Sequence, residues 1–278
     1  MDSNKHYAFI TGATGVIGRH FAAAYAKRGY NLFLAGRGEE RLAAVKEEIL
    51  GLTNAADTEI VCFSCDLSDA AGRDKMYAFI KQSGINITRA ANVAGVDDEG
   101  PFADFSKDAI RRMARVNAEA PIEIASALIA LRNNDKKENG DNGGGLKIIT
   151  VSSLAACFQM PLMALYSASK RTVYHFFLAL REELKGTDIS ATLALPGAVP
   201  TRPDVIDRIK AQGFFGKLSS VSPEKVAERS IKKAEKGRAV YVPGFFNKLL
   251  RFASFFVPAG LISRIAGARW RKAMKKKG

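Results

Sequence analysis

Short apolar runs alternate with segments of helical period along most of the chain. The runs at 7–11, 31–35, 59–64, 88–93, 147–152 and 189–195 carry apolar or β-branched residues on both faces, with a shorter seventh at 239–242. Strands buried between two helix layers read this way. Between them, segments 17–28, 39–50, 70–83, 107–132 and 164–185 place apolar residues on one helical face, and Gly29 stops the first. Such alternation predicts an α/β fold, a parallel sheet whose strands are joined by crossover helices. One low-complexity stretch, 133–145 (NNDKKENGDNGGG), predicts a mobile solvent loop leading into the fifth strand.

At 278 residues the chain suits one large domain with a substantial core. The opening residues are polar rather than signal-like, and no run of about 18 uncharged apolar residues occurs. The expected location is the cytoplasm, or peripheral to a membrane on its cytoplasmic face. Three cysteines make no disulfide framework, and the Cys62–Cys65 pair falls on a strand that points them to opposite faces, so no metal site is expected. The net charge of +14 asks for an acidic partner, but its distribution matters more. No acidic residue follows Glu235, whereas eleven Lys or Arg do.

The first strand runs into Thr11-Gly-Ala-Thr-Gly-Val-Ile-Gly18 and then a helix. Glycines at such a turn let the backbone approach a pyrophosphate, and the helix N-terminus offers free N–H groups and a positive dipole. Gly12, Thr14, Gly15, Val16, Ile17 and Gly18 are therefore candidate cofactor contacts. The second strand ends at Gly36-Arg37, where NAD-specific folds carry an acid for the ribose hydroxyls. A guanidinium there pairs with a 2′-phosphate, so NADP(H) is expected. Asp66 and Leu67 close the third strand, where a carboxylate meets the adenine amino group.

Tyr166 and Lys170 are four apart on a helix and share a face. A lysine charge lowers a nearby phenol's pKa from about 10 toward neutrality and makes it a usable acid or base. Ser153, thirteen residues before the tyrosine, ends the fifth strand with its hydroxyl placed for the same substrate oxygen.

This ordered set resembles the short-chain dehydrogenase/reductase family over about residues 5–245. Asn92, Ala94 and Gly95 are similar to the family's Asn-x-Ala-Gly segment, and Asn117 to its active-site asparagine, which supports the lysine. Ser153, Tyr166 and Lys170 match the remaining catalytic positions, while Pro196, Gly197, Val199 and Thr201 fall in the segment that closes on the nicotinamide. The resemblance implies a Rossmann-type, doubly wound, seven-stranded parallel sheet in order 3-2-1-4-5-6-7, with hydride exchanged between NADP(H) and a carbonyl or alcohol. It also implies homo-oligomers built through two long helices. One motif departs: short members carry glycine where this chain has Val16, and Gly15 gives a spacing similar to extended members, many of which act on nucleotide sugars. A nucleotide-sugar epimerase or dehydratase therefore stands as an alternative, and a non-catalytic dinucleotide sensor as a third reading.

Apolar residues follow Ser153 (Leu154, Ala155, Ala156, Cys157, Phe158, Met160, Leu162 and Met163) and recur at Phe214, Phe215 and Leu218. They predict a lipophilic carbonyl or alcohol as substrate, a steroid or fatty-acyl compound among them. Residues 1–244 form the expected domain and 245–278 an amphipathic, basic extension. In that extension Phe245, Phe246, Leu249, Leu250, Phe252, Phe255 and Phe256 fall broadly on one helical side, with Asn247, Lys248, Arg251 and Ser254 elsewhere. Pro258 breaks the helix, and the basic run around Trp270 follows. Two readings stay open: an interfacial helix on an anionic membrane, or a helix docked on the domain. Nucleic acid is not expected, since no reading motif accompanies the basic run.

Overall fold

A computed structural model describes residues 5–53, 58–139 and 145–274. Among these the strands are β1 (His6–Thr11), β2 (Asn31–Gly36), β3 (Ile60–Ser64), β4 (Asn86–Asn92), β5 (Lys147–Val151), β6 (Ser190–Ala194) and β7 (Val240–Tyr241). They form one parallel sheet in order β3-β2-β1-β4-β5-β6-β7, the doubly wound Rossmann-type arrangement.

Side chains alternate between two cores, one on each side of the sheet. Phe9 and Phe33 point to the layer formed by α3 (Ala70–Gln82), α5 (Ala120–Asn139) and α6 (Ala164–Glu183), where Met76, Ile124 and Phe177 meet them. Ile10 and Leu34 point the other way, to α1 (Val16–Ala26), α2 (Glu39–Thr53) and α9 (Pro223–Glu235). The chain reverses its winding between β1 and β4, and Ile10 pairs with Ala91 while Asn92 pairs with Thr150. The C-terminal ends of β1, β4 and β5 therefore open side by side, the place where such sheets bind ligands.

Three regions differ from the sequence expectation. The long helix expected over 107–132 is α4 (Lys107–Ala114), a π-helical turn at Arg115–Glu119, and α5. The segment between β6 and β7 holds α7 (Pro203–Ala211) and α8 (Gly213–Ser219) before α9. The C-terminal extension forms α10 (Phe245–Ala253) and α11 (Ala259–Met274), which resumes directly after Pro258. The low-complexity stretch is described to Asn139 and from Gly145, and its middle, like Lys275–Gly278, lies outside the described residues. Among the described residues no helix is long and apolar enough to cross a membrane, and no cluster of His, Cys, Asp and Glu could hold a metal ion.

Candidate active site

The glycine turn is built for close backbone contact. Gly12 sits at φ +64°, and a Cβ there would lie 2.9 Å from the Ala94 backbone. A Cβ on Gly18 would lie 2.2 Å from the Gly12 carbonyl oxygen, so helix and turn touch through bare backbone. Gly15 N–H donates to the Gly12 carbonyl at 2.9 Å and tightens the loop. The Thr11 hydroxyl accepts from the Val93 and Ala94 amides at 3.0 and 3.3 Å, which ties β1 to the end of β4. Gly15 caps α1 without a side chain and no acid occupies the first turn, so the helix N–H groups remain available to an anion. Position 16 needs no glycine for its backbone: Val16 begins the helix and turns a half-exposed side chain toward the cleft.

At the far end of the turn Arg37 lines the cleft, joined by two guanidiniums that the sequence reading did not single out, Arg41 and Arg112. Arg41, in the first turn of α2, follows Arg37 by only four residues, near enough in the chain to be read with it. Asp66 and Leu67 complete this corner. Burial pulls the Asp66 carboxyl upward, but the Ser68 amide and hydroxyl at 2.9 and 2.8 Å, with Arg37 and Arg112 nearby, hold it below the usual carboxylate value. It is an anion poised to accept hydrogen bonds.

In the middle of the cleft, Ser153 caps a short 3-10 turn (Leu154–Cys157) and accepts from the Ala155 amide at 3.1 Å. Tyr166 and Lys170 project from the first two turns of α6, the lysine Nζ 5.9 Å from the phenol ring centre. Lys170 Nζ also donates to the Val151 carbonyl at 3.1 Å. Behind it, the π-helical turn swings Asn117 inward, where its amide donates to the Val96 carbonyl (2.8 Å) and Ser169 Oγ (3.1 Å) and accepts from Val96 N–H (2.9 Å). Gly95 leaves room for both: a Cβ there would be 3.2 Å from Lys170 Nζ and 3.4 Å from Asn117 Oδ1.

The electrostatics correct one expectation. Burial pushes the Tyr166 phenol up to about 12, against a lowering hydrogen bond from Ser153 and with Asp97 adding to the rise. Burial pulls the Lys170 ammonium down to about 8, opposed by Asp97. The expected drive of Tyr166 toward neutrality is absent because desolvation is the largest influence on the phenol and outweighs the lowering by Ser153 and Arg208. Near neutral pH the tyrosine therefore keeps its proton, the form that can donate one.

A single cavity of about 920 Å³ connects these parts. Gly12, Thr14, Gly15, Val16, Ile17, Gly18, Arg37, Asp66, Leu67, Ala94, Gly95, Ser153, Tyr166, Lys170, Pro196, Gly197, Val199 and Thr201 all line it. Asn117 and Asn92 stand behind the wall; Asn92 donates to Thr150 Oγ1 at 3.4 Å, and its buried carbonyl oxygen has no partner among the described residues. Of the apolar residues expected to shape the substrate end, Leu154, Ala155, Phe158, Met160, Met163 and Phe215 line the cavity. Ala156, Cys157, Leu162, Phe214 and Leu218 do not, and Phe214 is exposed instead.

Two groups around the cavity were missed. Arg202 and Arg208, before and on α7, reach across to Asp97 at 2.7 Å each, and Arg208 to Glu99 at 3.1 Å, fastening α7 to the loop after β4. Nothing local in sequence links residues a hundred positions apart. The second group is the extension itself: Phe246, Leu250, Val257 and Ile262 form part of the cavity wall. The sidedness expected for α10 is partly inverted. Asn247 is fully buried, donating to the Ser219 and Pro243 carbonyls at 2.9 and 2.8 Å, whereas Phe245, Leu249 and Phe252 face outward. The Asn247 amide thus joins α10 to two backbone carbonyls of the domain, while its own carbonyl oxygen is buried with no partner among the described residues.

A doubly wound sheet with a glycine turn at its switch point, an anion-ready helix start and a serine–tyrosine–lysine set beside it defines a dinucleotide-dependent oxidoreductase. The chain belongs to the short chain dehydrogenase family, whose model matches residues 6–207. It is 26% identical over 275 residues to dehydrogenase/reductase SDR family member 7B of Mus musculus, covering 96% of this chain and 82% of that one. It is 29% identical over 196 residues to the very-long-chain 3-oxoacyl-CoA reductase of Vanderwaltozyma polyspora, covering 69% and 55%. Among solved structures, a 7beta-hydroxysteroid dehydrogenase superposes with a TM-score of 0.81 at 20% identity, covering 94% of this chain and 96% of the other. A short-chain dehydrogenase from Sphingobium yanoikuyae in complex with NADPH gives 0.71 at 20% identity, covering 91% and 96%. These superpositions establish the shared fold.

Proposed function

We propose that the protein is an NADP(H)-dependent reductase of lipophilic carbonyl compounds. The observation that carries this is the continuity of one cavity, from three guanidiniums at one end, through Ser153, Tyr166 and Lys170, to an apolar wall at the other. The domain within 1–244 supplies the cofactor and proton-transfer groups, and Phe246, Leu250, Val257 and Ile262 of the C-terminal extension wall the substrate end.

The cradle fits a dinucleotide. Bare backbone at Gly12 and Gly18 admits a pyrophosphate to the start of α1, and Arg37 offers a fork for a 2′-phosphate, with Arg41 and Arg112 adding positive charge. When bound, the nicotinamide supplies the hydride. The chain's own part is the proton. Tyr166 O–H donates to the substrate's carbonyl oxygen, and the Ser153 hydroxyl hydrogen-bonds the same oxygen and holds it in place. The phenolate left behind is stabilised by the Lys170 ammonium, which the Val151 carbonyl orients, while Asn117 bonds to Val96 and to Ser169, the lysine's chain neighbour. The apolar wall selects a lipophilic partner for that carbonyl and keeps water from the reacting atoms. The kinship with a very-long-chain 3-oxoacyl-CoA reductase supports this substrate class.

A panel of steroid, fatty-acyl and aromatic ketones followed by NADPH absorbance tests the reading, with Tyr166→Phe as control. Oxidation of NADPH by wild type alone is the expected result. The Gly15 spacing favours a second reading, an epimerase or dehydratase on a nucleotide sugar, whose mark is turnover with no net cofactor oxidation. Assembly through the outer faces of α5 and α6 is the oligomer this reading expects, and light scattering measures it.

A further inference from the structure

Much of the outward face of α8, α10 and α11 lies outside the cavity wall. On α8, on α10 and in the turn after it, Phe214, Phe245, Leu249, Phe252 and Phe256 are exposed, Phe245 by 84%. The rings meet in two groups: Phe214 meets Phe215 at 6.2 Å and Phe215 meets Phe246 at 5.8 Å, and separately Phe252 meets Phe256 at 5.0 Å between ring centres. Leu261 and Ile265 on α11 are half exposed as well. Apolar surface gathered in this way marks a contact. Its exposure is built in, because the two hydrogen bonds of buried Asn247 dictate which side of α10 faces out.

Charge identifies the occupant. Lys217, Lys248 and Arg264 stand exposed beside Leu218, Leu249 and Ile265, and no acidic residue follows Glu235 anywhere in the sequence. A second copy of this face would meet its own positive charge. An anionic bilayer complements both features, taking up the rings and attracting the cations. The geometry adds a reason for it: Phe215 and Ile265 are exposed and line the cavity at once, so its mouth opens within the aromatic face.

We propose that α8, α10 and α11 dock on an anionic lipid surface and turn the cavity mouth toward the bilayer. Entry of substrate from the lipid rests on the lipophilic-substrate reading, whereas the docking stands on the exposed face alone.

The test is co-sedimentation of the full chain with vesicles of phosphatidylcholine, or of phosphatidylcholine with phosphatidylglycerol, at low and high salt. It uses no turnover, so failure of the reductase reading leaves it standing, and the reverse. Wild type is expected to sediment with the anionic vesicles and to be partly released by salt. Phe252→Glu/Phe256→Glu, at positions outside the cavity wall, is expected to weaken partitioning by about tenfold for each ring removed. Circular dichroism and a melting curve check its fold. Should it misfold, Lys248→Glu/Arg264→Glu is expected to abolish the preference for anionic vesicles. Wild type left in the supernatant, or either folded double variant binding like wild type, overturns the proposal. So does a dimer in sedimentation velocity that Phe252→Glu/Phe256→Glu splits without lipid, since the face then belongs to a second copy.

Discussion

Adding one methyl group at each of two neighbouring glycines separates the two tasks of the first turn. At Gly12 the backbone has φ +64°, where alanine is disfavoured by about 1 kcal/mol relative to glycine. Its Cβ would also stand 2.9 Å from both Cα and N of Ala94, backbone atoms that cannot rotate away. Overpacking of this kind costs about 1–3 kcal/mol, so Gly12→Ala is expected to lose roughly 2–4 kcal/mol of stability. At about 2–4 °C per kcal/mol, the melting temperature falls by something on the order of 10 °C. Gly15 differs. Its φ is −86°, and a Cβ there meets only the Gly12 carbonyl oxygen, at 3.3 Å, while the residue lines the cleft. Gly15→Ala is expected to melt within about 2 °C of wild type. Its methyl stands where a pyrophosphate would approach, and NADPH affinity should drop about 10- to 100-fold. Melting of the cofactor-free protein and a fluorescence titration with NADPH read the two effects separately. Equal melting temperatures for the two variants, or unchanged affinity in Gly15→Ala, would refute the reasoning.

Three further outcomes follow from the same geometry. Tyr166→Phe should lower kcat by about 10²–10⁴-fold while leaving NADPH binding intact, because it removes the proton and keeps the ring; steady-state kinetics beside a binding titration shows whether it does. Arg37→Asp should erase or reverse a preference for NADPH over NADH, measured as the ratio of the two affinities, and an unchanged ratio would reduce Arg37 to a surface residue. Lys170 carries a pH signature: its folded pKa of about 8 lies below the ordinary lysine value of 10.5, so between these values the unfolded chain holds a proton the folded one has shed. Stability should therefore rise with pH across that window, by an amount on the order of 1–3 kcal/mol, and urea unfolding of Lys170→Met should show a correspondingly smaller rise.

What could be read from the sequence was what local pattern encodes. Runs apolar on both faces and helical stripes set out the alternation that became seven strands and their crossovers, and the spacing from Ser153 to Tyr166 to Lys170 placed three side chains that the structure brings into one cavity. The π-helical turn at 115–119 was hidden because the apolar pattern continues through it, and only the inward position of Asn117 reveals the extra residue in the turn. The fastening of α7 by Asp97 depends on residues a hundred positions apart, which no window on the chain joins. Two points were matters of environment rather than position. The lysine's charge was weighed without the desolvation that raises Tyr166, and the grouping of the α10 rings on one side left open which of them the domain would bury. Asn247 shows why the grouping did not settle it: amphipathicity orders a helix by the solvent's preference, but Ser219 and Pro243 offer carbonyls that a buried donor satisfies. Once Asn247 turns inward, rotation of the helix is no longer free, and the rings that a hydrophobic count would bury are carried to the surface beside Lys248. The aromatic face is thus a consequence of how the extension is anchored, and its exposure comes with a cation at its edge.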